Sequence, residues 1–151
     1  MVNEDLRAIG RLNIVLTDVN GNVKDTREVD NLVVDTGRSH IASRMVGVAQ
    51  AVMTHMGIGT GAVAAAAGNT TLGSEVGTRV GLTTFTNASQ VVTAETTFPT
   101  SNPATSQAIT EAGIFNASTA GVMLCRTVFS AINKDPTDTL KITWTITVNA
   151  P

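Results

Sequence analysis

The chain contains no tyrosine, one tryptophan and four phenylalanines, so aromatic residues make up only 3% of it. Base-stacking surfaces depend on aromatic rings, and sugar-binding platforms do too; the composition argues against both. A single cysteine, Cys125, excludes a disulfide within the chain. Charge is also scarce, at 15% of residues, where typical globular chains carry about 25%. The 10 basic and 12 acidic residues leave a net charge of −2, so no basic field draws nucleic acid or an anionic membrane. No apolar run approaches the ~20 residues that a membrane helix needs. The opening MVNEDLRAIG carries the acidic pair Glu4-Asp5 and no apolar core, unlike a secretory signal. The expectation is a soluble chain with neither nucleic acid nor membrane as partner.

Threonine, alanine, glycine and valine fill the space that charge leaves, and Thr and Val favour pleated, half-buried surfaces. A length of 151 residues suits one domain, over residues 1–151, that buries roughly two-thirds of its unfolded surface. Charge is unevenly spread. Between Arg44 and Glu111 only Glu75, Arg79 and Glu95 are charged.

Period-two alternation dominates the pattern. Leu12, Ile14 and Leu16 alternate with polar neighbours over residues 11–17, as in a half-buried strand. Asn20-Gly21 is a hairpin signal, with a return strand from Val23 to Val29 and extended chain through Val34. Further strands are expected at 53–58, 79–85, 90–98, 108–115, 121–130 and 140–148. In the last, Leu140, Ile142, Trp144, Ile146 and Val148 share one face, which is expected to point into the core. Only Thr36 to Gly47 reads as a helix. Asp35 or Thr36 can cap it, Ile41 and Met45 share a face, and Gly47 can take the left-handed position after its end. The expected fold class is all-β: an antiparallel β-sandwich or jelly-roll-like arrangement with one short α-helix.

Motifs that carry chemistry are weak. Gly57-Ile58-Gly59-Thr60-Gly61-Ala62 matches a dinucleotide fingerprint with alanine in the last place. That motif needs a long helix next, whereas the alanine run ends at Gly68-Asn69; close backbone approach explains the glycines better. Asp18, Asn20 and Asn22 alternate like the start of a calcium loop, but Val23 and Val29 stand where such a loop needs glycine and glutamate. His40 and His55 lack partners at ligand spacing. Cys125 sits in an apolar strand and is expected to be a buried structural thiol. The expectations are no catalytic residue, no cofactor and no metal.

Glu75 and Arg79 are the only close opposite charges in the neutral middle. On a helix they would form an exposed pair contributing a few tenths of a kcal/mol. At a subunit boundary they would be buried, where geometry matters more. The neutral stretch points to self-association, since interface cores are depleted of charge and closed symmetry consumes sticky surface without fibres. Glu75, Arg79, Val80 and Leu82 are the candidate interface, and lysine at Val80 or Leu82 is expected to separate the core face from the contact face.

Four segments together resemble a loosely defined group of small phage virion proteins. They are Ile14 to Val23; Asn31 to Arg38 with the helix after it; Met56 to Gly61 followed by Thr71-Leu72-Gly73-Ser74-Glu75 and Arg79; and Ile109 to Asn116 followed by Gly121 to Arg126 and a closing Thr/Ile strand. The resemblance implies a non-enzymatic β-sandwich component of the phage particle, made in the host cytoplasm. Its first form is a capsid decoration or cement protein, often trimeric, that bridges major capsid subunits. The alternative is a tail, baseplate or fibre-associated protein. A small carbohydrate-binding module, the reading from another class, lacks the aromatic platform it would need.

Overall fold

The alternating segments become nine strands in the computed structural model, which describes residues 5–48 and 50–149. The strands are β1 (Arg7–Thr17), β2 (Val23–Val33), β3 (His55–Gly59), β4 (Glu75–Gly81), β5 (Thr84–Ala88), β6 (Val91–Phe98), β7 (Gln107–Phe115), β8 (Met123–Lys134) and β9 (Thr139–Asn149); α1 spans Asp35–Met45. The order across the sheet is β4-β3-β7-β8-β2-β1-β9-β6-β5, and every ladder is antiparallel. The expected all-β, antiparallel architecture with one short helix is therefore what forms. The strands join in one continuous curled sheet. β2 is the joint: along most of its length it pairs with β1, and only Leu32 and Val33 pair with β8.

The curl wraps the inner face around one apolar cluster. Leu12, Ile14 and Leu16 of β1 meet Leu140, Ile142, Trp144 and Ile146 of β9, with Phe98, Ile109, Ile114, Met56 and Ile58 closing over them. The β1–β9 register sets Leu12 opposite Trp144 and Ile14 opposite Ile142. Four of the five apolar residues expected to point inward from β9 are buried. Val148 is half-buried because it lies at the end of the strand, beside α1.

Asn20-Gly21 makes the expected hairpin turn. Gly21 has φ +85°, and the Asp18 carboxylate accepts from the amides of Asn20 at 2.8 Å and Asn22 at 2.9 Å. Asp18 thus serves the turn's own backbone. These bonds, that from the Asn22 amide foremost, hold its pKa below the ordinary value.

Three expectations are corrected. The strand expected over 79–85 is two strands: Leu82 and Thr83 form a corner that carries the chain from β4, at one edge of the sheet, to β5, at the other. The corner is pinned by Leu82 N–H to Thr54 O (2.8 Å), Thr83 N–H to Glu95 O (2.8 Å) and Thr96 Oγ1 to Gly81 O (2.7 Å). In α1, Gly37 and His40 are buried, while Met45 is 84% exposed. The helix turns its Gly37 and His40 side inward, and glycine is required at 37 because a Cβ there would stand 1.9 Å from the Leu124 carbonyl oxygen. No side chain caps α1; Val34 holds the cap position. Gly47 follows the helix at φ +70°, as expected.

Candidate functional site

Between β3 and β4 the chain runs from Thr60 to Ser74 without regular structure. Connections of this kind inside a compact fold are uncommon and usually functional or disordered. Here the segment lies across the outer face of β7 and β8, and a buried ion pair organises it. Glu111 of β7 is fully buried and Arg126 of β8 is 2% exposed. The carboxylate accepts from Arg126 Nε at 3.0 Å and Nη2 at 2.7 Å. It also accepts from the backbone amides of Gly61 (3.0 Å), Gly73 (2.9 Å) and Ser74 (2.7 Å), so it ties both ends of the loop together. The guanidinium reaches the loop's middle, donating to Val63 O at 3.1 Å and to Asn69 Oδ1 at 2.9 Å. Asn69 Oδ1 in turn accepts from the Ala66 amide at 2.7 Å. Burial pushes the Glu111 pKa up, but the bonds from Gly73, Ser74, Arg126 and Gly61 outweigh it and hold the carboxyl below its ordinary value.

This arrangement explains the glycine-rich fingerprint. A Cβ at Gly59 or Gly61 would stand 2.5 Å from Glu111 Oε1. The glycines do let backbone amides close on an anion, but the anion is the protein's own carboxylate. Under the loop, Leu72, Phe115, Met123 and Val34 form a second small apolar cluster. β7 is consequently buried on both faces from Glu111 to Phe115. The upper side of the loop displays Ala62, Val63, Ala64 and Ala66 to solvent, Val63 at 80% exposure.

Glu75 and Arg79 lie next to this loop on β4, on a strand and not on a helix. Residues four apart on a flat strand are about 13 Å apart. The bulge at Gly77 (φ +66°) shortens that span, and Arg79 Nε donates to Glu75 Oε1 at 2.7 Å. Arg79 also lies 3.4 Å over the Phe115 ring centroid and donates to Ala117 O (3.1 Å) and Ala120 O (2.7 Å). The pair therefore clamps the 117–120 turn to β4. Val80 and Leu82 are half-buried and both pack against the main core. Two apart along the chain, they do not sample opposite faces.

A further ionic cluster closes the turn between β8 and β9. Lys24 donates to Asp138 at 2.7 Å and Asp135 at 3.2 Å. Buried Lys134 donates to the carbonyls of Asp138 (2.8 Å) and Pro99 (3.2 Å), and burial lowers its pKa. Cys125 is fully buried and its thiol pKa is pushed up by that burial. His40 Nδ1 lies 3.1 Å from Gln50 Oε1, and His55 Nδ1 lies 2.8 Å from Thr54 Oγ1. Among the described residues no group of three His, Cys, Asp or Glu side chains gathers as a metal site. In the sequence Glu111 and Arg126 stand out only as members of the fourth resembling segment, and nothing there pairs them. A glutamate at an alternating strand position reads as solvent-facing, and nothing in its spacing reveals the loop above it.

Comparison with protein-family models, curated proteins and solved structures finds no match for this chain.

Proposed function

We propose that this chain is a non-enzymatic structural component of a phage particle, and first a capsid decoration protein that bridges major capsid subunits. The observation that carries this reading is the stapled loop. The strongest buried charges, Glu111 and Arg126, spend their hydrogen bonds on each other, on loop backbone and on Asn69, leaving a rigid surface of Ala and Val facing out. A charge-free, pre-ordered surface suits assembly, because interface cores are depleted of charge and pre-ordering lowers the entropy that docking must overcome. Many copies, each bound weakly, would stabilise a shell through multivalency. The resemblance in the four sequence segments points the same way.

The test is quantitative mass spectrometry of purified particles made in cells that carry the gene. Decoration requires the chain in hundreds of copies per particle. A handful of copies would move it to the tail, baseplate or fibre alternative, and its absence from particles would end both readings. Val63→Asp, which charges the exposed loop without touching the core, should release the chain from particles at lower salt or temperature.

A further inference from the structure

The two edges of the sheet are treated differently. On β4 the open side is plugged: Asn102 Oδ1 accepts from the Thr78 amide at 3.0 Å and Asn102 Nδ2 donates to Thr78 O at 3.0 Å. The amide side chain thus occupies the hydrogen-bonding positions a neighbouring strand would use. The bulge at Gly77 reinforces the plug, and a Cβ there would stand 2.2 Å from Asn102 Oδ1. Natural sheet edges are commonly guarded by such bulges, by lysine or proline, or by a covering element. Among the described residues β5 has none of these. Its sequence is Thr84-Phe85-Thr86-Asn87-Ala88, the one strand that pairs with it among those residues is β6, and Phe85 to Ala88 are exposed. No charged residue lies between Arg79 and Glu95. Alternate residues of an antiparallel edge strand direct their amides and carbonyls away from the sheet.

We propose that the open edge of β5 is a strand-addition site and that its occupant is a second copy of this chain, paired antiparallel about a two-fold axis at Thr86. In that register Thr86 faces Thr86, Phe85 faces Asn87 and Thr84 faces Ala88. No like charges meet, and Thr–Thr cross-strand pairs are favourable. The strand itself carries no charge and is complementary to itself; the charge beside it is Arg44 of α1, which lines the surface next to Phe85, Thr86 and Asn87. Beside the edge lies an apolar groove of about 280 Å³, lined by Ile41, Val52, Phe85, Val92 and Val148 among others. Pairing sets the grooves of the two copies side by side and covers Phe85, which is 38% exposed at the end of the inner row that runs through Ala94, Trp144 and Leu12. An isologous contact closes at two. A cyclic trimer would need β5 to meet a different surface, and the other sheet edge is plugged. The pairing does not depend on the phage reading, because it is measured on the purified chain alone.

The experiment introduces Thr86→Cys, Thr86→Lys and, on the plugged edge, Thr78→Cys. Native Cys125 is buried, so each introduced thiol reports alone. The unmodified chain should have the mass of a dimer by light scattering at millimolar concentration. Thr86→Cys should form a disulfide-linked dimer under mild oxidant, and Thr78→Cys should not. Thr86→Lys should halve the native mass while leaving the circular dichroism and unfolding midpoint unchanged. A monomeric or trimeric mass for the unmodified chain would overturn the proposal. So would failure of Thr86→Cys to cross-link, or a Thr86→Lys variant that stays dimeric.

Discussion

Glu111→Gln removes a charge and keeps a shape, so it isolates what the carboxylate does. Arg126 is left buried without its countercharge, and breaking such a pair typically costs about 3–5 kcal/mol. Urea unfolding near neutral pH should show a loss of that size. The pH dependence follows from the direction of the shift. The folded-state pKa lies below the ordinary 4.5, so the stabilisation is complete above that value and is lost as the pH falls through the folded-state value. Asp18 and Asp135 are also lowered, so the wild-type curve alone does not report Glu111. The gap between wild type and Glu111→Gln does, and it should narrow below about pH 4.5. A gap that stays constant into acid would show that the carboxylate does not carry the loop.

The loop from Thr60 to Ser74 is the element whose order rests on that pair. Its glycines divide by what surrounds them. Gly61 has no room for a Cβ beside Glu111, while nothing lies within 4 Å of a Cβ at Gly68. Gly61→Ala should therefore force the amide away from the carboxylate and cost about 1–3 kcal/mol, as overpacking does. Gly68→Ala should change the unfolding midpoint little. Equal effects would mean that the close approach to Glu111 is unimportant. Strands were legible where one face meets the core and the other meets water: Leu12, Ile14 and Leu16 on β1 and the apolar row of β9 needed only period two. The strand over 108–115 was legible as well, since β7 spans Gln107–Phe115, but its covered outer face was not: Ala112-Gly113-Ile114-Phe115 is buried throughout, and no alternation announces that a loop lies on top. The rule failed at Leu82-Thr83, where an apolar-polar alternation runs through a corner between sheet edges.

For the whole molecule, Trp144 is the test of the curled sheet. It is fully buried between Leu12 on β1 and Ala94 on β6, so Trp144→Ala should cost about 3–5 kcal/mol and shift every probe of unfolding together. Its Nε1 finds no hydrogen-bond partner among the described residues. Phenylalanine at 144 removes that unpaired donor and should be tolerated far better than alanine. An unchanged midpoint in Trp144→Ala would mean that the inner face is not the main source of stability.

By itself the sequence determined the strand-rich class, the single helix near Asp35, the hairpin at Asn20-Gly21 and the inward face of β9. These are local properties: side-chain alternation, turn chemistry and φ preference act over a few neighbouring residues. Tertiary structure alone decided that Glu111 meets Arg126, that Gly59 and Gly61 make room for a carboxylate far along the chain, and that Asn102 closes one sheet edge while β5 stays open. Such contacts depend on strand order and register, which join residues distant in sequence, and a curled nine-stranded sheet brings together partners that no local pattern names.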